Sequence, residues 1–131
     1  MIKSELDIEQ DVYDFLKDEL RKLIGGNVYK SECRPVDSQE EDAVINVSDS
    51  SADQIQQGNI ELNIYVQDIG DAPDKARLKE LAAEHENLCE LMNNLTTEYI
   101  FSPGRSATSY AEPDIHQHFV NFNFEFERIT F

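Results

Sequence analysis

The hydrophobic pattern of this chain turns on one stretch. From Asn59 to Asp68 apolar and polar residues alternate, with Ile60, Leu62, Ile64 and Val66 on one side and Glu61, Asn63, Tyr65 and Gln67 on the other. Side chains on a strand alternate with period two, so the spacing predicts a strand with one dry face and one wet face. A second such run closes the chain over 119–127, where Val120, Phe122, Phe124 and Phe126 share a face. Phe119 breaks its phase, as do Ile129 and Phe131, which predicts a bulge or a strand end near each.

Two segments carry helical spacing instead. Ile8, Val12, Phe15, Leu16, Leu20 and Leu23 line one side of a first helix, with Ser4 or Asp7 as its cap. Glu5, Asp7, Glu9 and Asp11 at its start and Arg21 and Lys22 in its last turn complement the helix dipole. Gly25-Gly26 is expected to end it, because glycine readily takes the left-handed conformation of a helix exit. The turn Gly70 to Asp74 launches a longer helix, capped by Asp71 or Asp74 with Pro73 in the first turn. Its dry seam is Leu78, Leu81, Ala82, His85, Leu88, Cys89, Met92, Leu95 and Tyr99. Lys75, Arg77 and Lys79 lie at the unfavourable end of its dipole, so this helix is expected to draw its stability from docking on the sheet.

The remaining segments are shorter. Asn27 to Lys30 reads as a strand that extends at most to Cys33 before Arg34-Pro35 stops it. Residues 36–42 read as loop, Ala43 to Ser48 as a strand, and 49–58 as a polar connection into the central strand, which together favour an antiparallel meander. Ser102 to Asp114, with Pro103, Gly104 and Pro113, is the longest run without periodicity and is either mobile or ordered by a partner. The sum is an α+β fold: an antiparallel four-stranded sheet with two helices packed on one face, in the order α-β-β-β-α-β, as a single domain over 1–131.

Composition narrows the function. With 27 Asp and Glu against 11 Lys and Arg the net charge is -16, which repels phosphate backbones and predicts no direct nucleic-acid binding. Hydrophobic residues make up 40% of the chain and fall in clear periods, which favours a folded domain over an acidic disordered one. Cys33 and Cys89 are far apart and form no CxxC, so a reducing intracellular setting is the simplest expectation. No window has the length and hydropathy of a membrane span or a signal segment.

Candidate chemistry is sparse. His116 and His118 form an HxH pair that could share a strand face around zinc, but no third and fourth ligands stand at a recognisable spacing, so the pair reads as a solvated strand entrance. His85 in the helix seam reads as a packed, hydrogen-bonded histidine rather than a general base. The acidic clusters at 37–42 and 49–53 lack the glycine and terminal glutamate of a calcium loop. Glu125 and Glu127 are an outward pair on a strand rather than a glycosidase pair. Neither cysteine stands in a nucleophile motif, and no phosphate-binding glycine loop occurs. Catalytic, metal and cofactor-binding residues are accordingly expected to be none.

Leu23-Ile24-Gly25-Gly26-Asn27-Val28-Tyr29 at the first helix exit, Gly58 to Val66 in the central strand, the order of elements and the aromatic final strand together resemble the tail-completion or tail-terminator proteins of tailed phages and prophages. That resemblance implies a structural protein and not an enzyme. It would form a homo-oligomeric ring of about six subunits that closes the end of the tail tube and meets the head-connector proteins. It also implies a place in the virion tail, with assembly in the host bacterial cytoplasm. The strongly acidic balance and the polar 36–42 segment depart from the family's pattern. On this reading Ser102, Arg105 and Tyr110 in the long loop are the candidate subunit contact, Arg105 being the only basic residue between Lys79 and Arg128. An acidic adaptor that binds a basic protein partner and a small enzyme remain the other classes open to the sequence.

Overall fold

A computed structural model describes residues 1–129. Helix α1 spans Glu5–Leu23, and strands β1, β2 and β3 span Val28–Lys30, Ala43–Ser48 and Ile55–Gln67. Helices α2, Lys75–Ala82, and α3, His85–Leu95, follow; β4, Tyr99–Pro103, and β5, Thr108–Glu112, then lead through a short 3-10 turn to β6, Gln117–Ile129. The sheet order is β1-β2-β3-β6-β4, with β5 also on β6. The α+β class is as expected. The sheet, however, has six strands rather than four and is mixed rather than antiparallel.

Three departures explain the difference. First, β1 runs parallel to β2, with Val28 opposite Ala43. Parallel neighbours need a crossover, and residues 31–42 provide one that covers no helix but is pinned internally. Buried Asp42 accepts from the Asn27 N–H at 2.8 Å, from Arg34 Nε at 2.9 Å and from Ser38 Oγ at 2.5 Å. Second, the expected long helix runs as two segments. The Ala83 and Glu84 N–H groups bond back to Lys79 and Leu81, the tight pattern of a helix end, and α3 restarts at His85. Tyr99 leaves the helix seam altogether and is a buried residue of β4. Third, the expected structureless run 102–114 holds the end of β4, all of β5 and the 3-10 turn. β6 is long enough for two short strands to pair in succession along one edge: β4 on Phe124 to Arg128, β5 on Gln117 to Asn121. A short, largely exposed edge strand needs no hydrophobic alternation, so Ser-Tyr-Ala gives no strand signal.

Pairing of β3 with β6 is continuous from Gln67 opposite Gln117 to Ile55 opposite Ile129. Phe119 and Ile129 therefore keep the strand's alternation and face away from the core, with the strand ends at 117 and 129 close to each. Phe131 lies outside the described residues. All three helices lie on one side, where Ile8, Val12, Leu16, Leu20, Leu81, Leu88 and Met92 meet Ile45, Ile60, Leu62, Ile64, Phe122 and Phe124 in one core. That arrangement follows the expectation for the dry face.

Local signals hold with two exceptions. Ser4 and Asp7 act together in a capping box, and Asp74 caps α2. That cap leaves Pro73 one residue before the cap position rather than in the first turn of the helix, because α2 starts at Lys75. The other exception is Gly25-Gly26: α1 ends at Leu23 with Ile24 extended, and neither glycine takes a positive φ. Gly26 is needed for close approach, since a Cβ there would come within 2.5 Å of the Glu41 carbonyl oxygen. Gly58 inside β3 has the same cause, its missing Cβ leaving room for the Phe126 ring.

Candidate functional site

No helix among the described residues covers the other side of the sheet, and three zones can be built on it from register alone. Odd-numbered residues of β3 and β6 and even-numbered residues of β4 and β5 face this way. At one end Tyr65, Phe119 and Tyr110 form an aromatic row with ring centroids 5.2 and 5.5 Å apart, and the Arg34 guanidinium sits 4.0 Å from the Tyr65 ring. Burial raises the Tyr65 phenol pKa, Glu112 adds to that rise, and Arg34 opposes it.

The middle zone is a polar ladder. Asn121 donates to Glu61 at 2.8 Å and to Asn63 at 2.7 Å, while Asn123 donates to Glu61 at 3.0 Å. Arg105 reaches over from the β4–β5 connection, donating to Asn121 at 2.7 Å and pairing with Glu61 at 3.3 Å. Asn121 and Asn123 are only 6% exposed. The expectation that this whole face is wet is corrected here: the 104–107 connection folds over the ladder, and the polar side chains satisfy one another instead of water.

The same connection leaves a gap in the sheet edge. Neither β4 nor β5 pairs with Phe122 or Asn123, and the Asn123 carbonyl accepts instead from the Gly104 N–H at 2.9 Å and from His85 Nε2 at 3.0 Å. A carbonyl has no proton to give, so His85 carries its proton on Nε2. Its ring packs edge-on against Phe122 and Phe124. His85 is thus the packed histidine that the sequence suggests.

The third zone is apolar and acidic. Ile55 and Ile129 stand opposite each other, Ile100 stands opposite Glu127, and the three isoleucines are 49%, 49% and 63% exposed. Ile100 and Glu127 line two adjoining hollows, of about 570 Å³ and about 530 Å³. The first also takes in Asp49, Asn59, Ser102 and Glu125; the second takes in Ile55, Glu98 and Ile129.

Behind the third zone the chain start is stitched down. The buried Gln56 side chain exchanges hydrogen bonds with both backbone groups of Lys3 at 3.0 Å and accepts from Arg128 at 2.9 Å. Lys3 pairs with Asp11 at 2.6 Å and with Glu98 at 2.8 Å; Arg128 also holds Glu98. Burial works against charge at both Lys3 and Glu98, but the hydrogen bonds and opposite charges prevail, leaving the lysine pKa raised and the glutamate pKa lowered. The Tyr99 hydroxyl donates to Asp11 at 2.6 Å, and burial together with that carboxylate pushes the phenol pKa far up.

Ser102, Arg105 and Tyr110, which the sequence singles out as a subunit contact, all fall on the open face: Ser102 in the first hollow, Arg105 over the ladder, Tyr110 in the aromatic row. His116 and His118 do not share a strand face. His116 takes a left-handed conformation (φ 54°) after the 3-10 turn, while His118 lies on β6 bonded to Asp68 at 2.6 Å. Among the described residues no group of three His, Cys, Asp or Glu is placed to hold a metal ion. No described helix is long and apolar enough to cross a membrane. Cys33 is exposed and Cys89 buried, both as free thiols. Pattern reading misses Ile55, which lies in the 49–58 stretch read as a polar connection, and Ile100, which falls between the expected helix and the expected loop; their parity relative to Ile60 and Phe101 is the signal that places them outward. Neither a known family model nor a curated protein sequence matches the chain.

Proposed function

We propose that this chain is a structural subunit of a phage or prophage tail, assembling as a ring of about six copies that closes the end of the tail tube and joins it to the head connector. The observation that supports this reading is a sheet face left uncovered by any helix, which carries large apolar side chains together with Ser102, Arg105 and Tyr110. Exposed apolar side chains gathered on one face mark interaction surfaces, among them those between protein subunits. On this reading the protein is not an enzyme, uses no cofactor and makes no direct contact with nucleic acid. It acts in the virion tail after assembly in the host cytoplasm.

Subunit contact runs through the Arg105 and Tyr110 end of the face. Arg105 is half exposed, and its bonds to Glu61 and Asn121 all use one terminal nitrogen, which leaves its other N–H groups available to a neighbour's carboxylate. A contact between two different patches closes into a ring when the rotation permits. Light scattering across protein concentration and salt, with and without the tail-tube protein, tests this. Growth to a discrete oligomer that Arg105→Glu weakens is expected, and a strict monomer under every condition would overturn the ring. An oligomer indifferent to Arg105→Glu would keep the ring and move the contact elsewhere.

A further inference from the structure

At the isoleucine end of the open face Glu98 is held by Lys3 and Arg128, which also lines the second hollow, but the carboxylates of the first hollow stand beside apolar side chains without a cation among the described residues. At the ladder, Glu61 is met by Arg105 and two asparagines. Beside Ile100, by contrast, Asp49 and Glu125 have no cation or side-chain hydrogen-bond partner among the described residues, and Glu127 has only the neutral Gln57 amide at 3.3 Å. We infer that this end, centred on Ile100 with Asp49, Glu125 and Glu127 around it, docks a cationic polypeptide segment of a partner protein in which basic residues flank apolar ones.

Four occupants compete for such a surface, and charge separates them. A lipid surface or a nucleic acid presents anions, which three carboxylates beside an isoleucine would repel. A second copy brings the same carboxylates and a net charge of -16, so its approach to this acidic end is opposed by like charge. A basic, apolar-flanked segment fits both halves of the site. Its side chains cover Ile55, Ile100 and Ile129, and its ammonium or guanidinium groups meet the rim, where partly desolvated pairs contribute more than they do in open water. Ring closure at the Arg105 end is not required for this docking.

The probe is a synthetic peptide alternating lysine with valine, compared by fluorescence anisotropy with a lysine–serine and a glutamate–valine version. Saturable binding of the lysine–valine peptide is expected, with the other two at least about tenfold weaker. Ile100→Ser and the double substitution Glu125→Gln/Glu127→Gln should each weaken it by about tenfold, while Leu6→Ser, an exposed apolar change on α1, should leave it unchanged. Circular dichroism checks that each variant is folded. Absence of saturable binding overturns the inference. Equal binding of the lysine–serine peptide, or no effect of Ile100→Ser, would reduce the site to diffuse charge and also overturn it. Light scattering of Ile100→Ser completes the test: loss of self-association without loss of peptide binding would assign the face to a second copy.

Discussion

Single side chains carry two separate loads in this protein, apolar filling on the helix side of the sheet and charge satisfaction in the crossover. Phe124 is fully buried and lies against His85, so Phe124→Ala should cost about 3–5 kcal/mol as a large cavity, read as a lowered denaturation midpoint with an unchanged slope. Asp42 is also fully buried, and its carboxylate collects a backbone N–H, a guanidinium and a hydroxyl. Asp42→Ala should cost a comparable amount, about 3–5 kcal/mol, because it leaves Arg34 buried without its counter-charge. If Asp42→Ala proved as stable as the parent in urea, the crossover would not depend on that ion pair. Only one of the two residues can be picked from the sequence. Phe124 is legible from its phase in an alternating run; Asp42 sits in an acidic segment that reads as solvated loop, and only its distance to Arg34 reveals the role.

At the scale of elements, the chain start, the N-terminal half of α1, β4 and the end of β6 are joined by a charged cluster of Lys3, Asp11, Glu98, Tyr99 and Arg128. Its titration gives the sign of the pH response. The Tyr99 phenol and the Lys3 ammonium both have raised pKa values, so their contribution is complete below the ordinary values of 10.0 and 10.5 and is lost as pH rises through the folded ones. Glu98 is lowered, so its contribution is present above the ordinary value of 4.5 and is lost as acid drives the pH through its folded value. Stability measured by urea midpoint should therefore hold across the neutral range and fall at both extremes. Tyr99→Phe should lower the plateau by about 1.5–3 kcal/mol, the worth of a hydrogen bond to a charged group, and flatten the alkaline limb. An alkaline limb of the same steepness in Tyr99→Phe would shift that role to other groups.

The whole molecule is organised by contrast between its two sides. Helices cover one face of the sheet, and the charge of -16 is spread over what remains in contact with water. No gel shift is expected with duplex DNA at physiological salt, and salt-sensitive binding in the micromolar range would contradict that expectation. Self-association, by contrast, should strengthen as salt rises, because screening shortens the reach of like-charge repulsion between copies to about 8 Å at physiological ionic strength. Weakening with salt would point to ion pairs as the main source of the contact.

Which face of the alternating part of each long strand is buried was settled by sequence, because period two assigns each of its residues to a side without knowledge of its neighbours: Ile60, Leu62, Ile64, Phe122, Phe124 and Phe126 inward, Glu61, Asn63 and Tyr65 outward. The α1 cap and its apolar stripe are local in the same sense, resting on contacts within a few residues. Strand order and direction are not local. β1 is parallel because Asp42 and Arg34 fold the crossover back on itself, and β5 exists because β6 is long enough to offer a second edge after β4 ends. The apolar end of the open face came from tertiary structure alone. Ile55, Ile100 and Ile129 lie on three strands far apart in the chain, and only pairing through β6 brings them and their carboxylates to one surface.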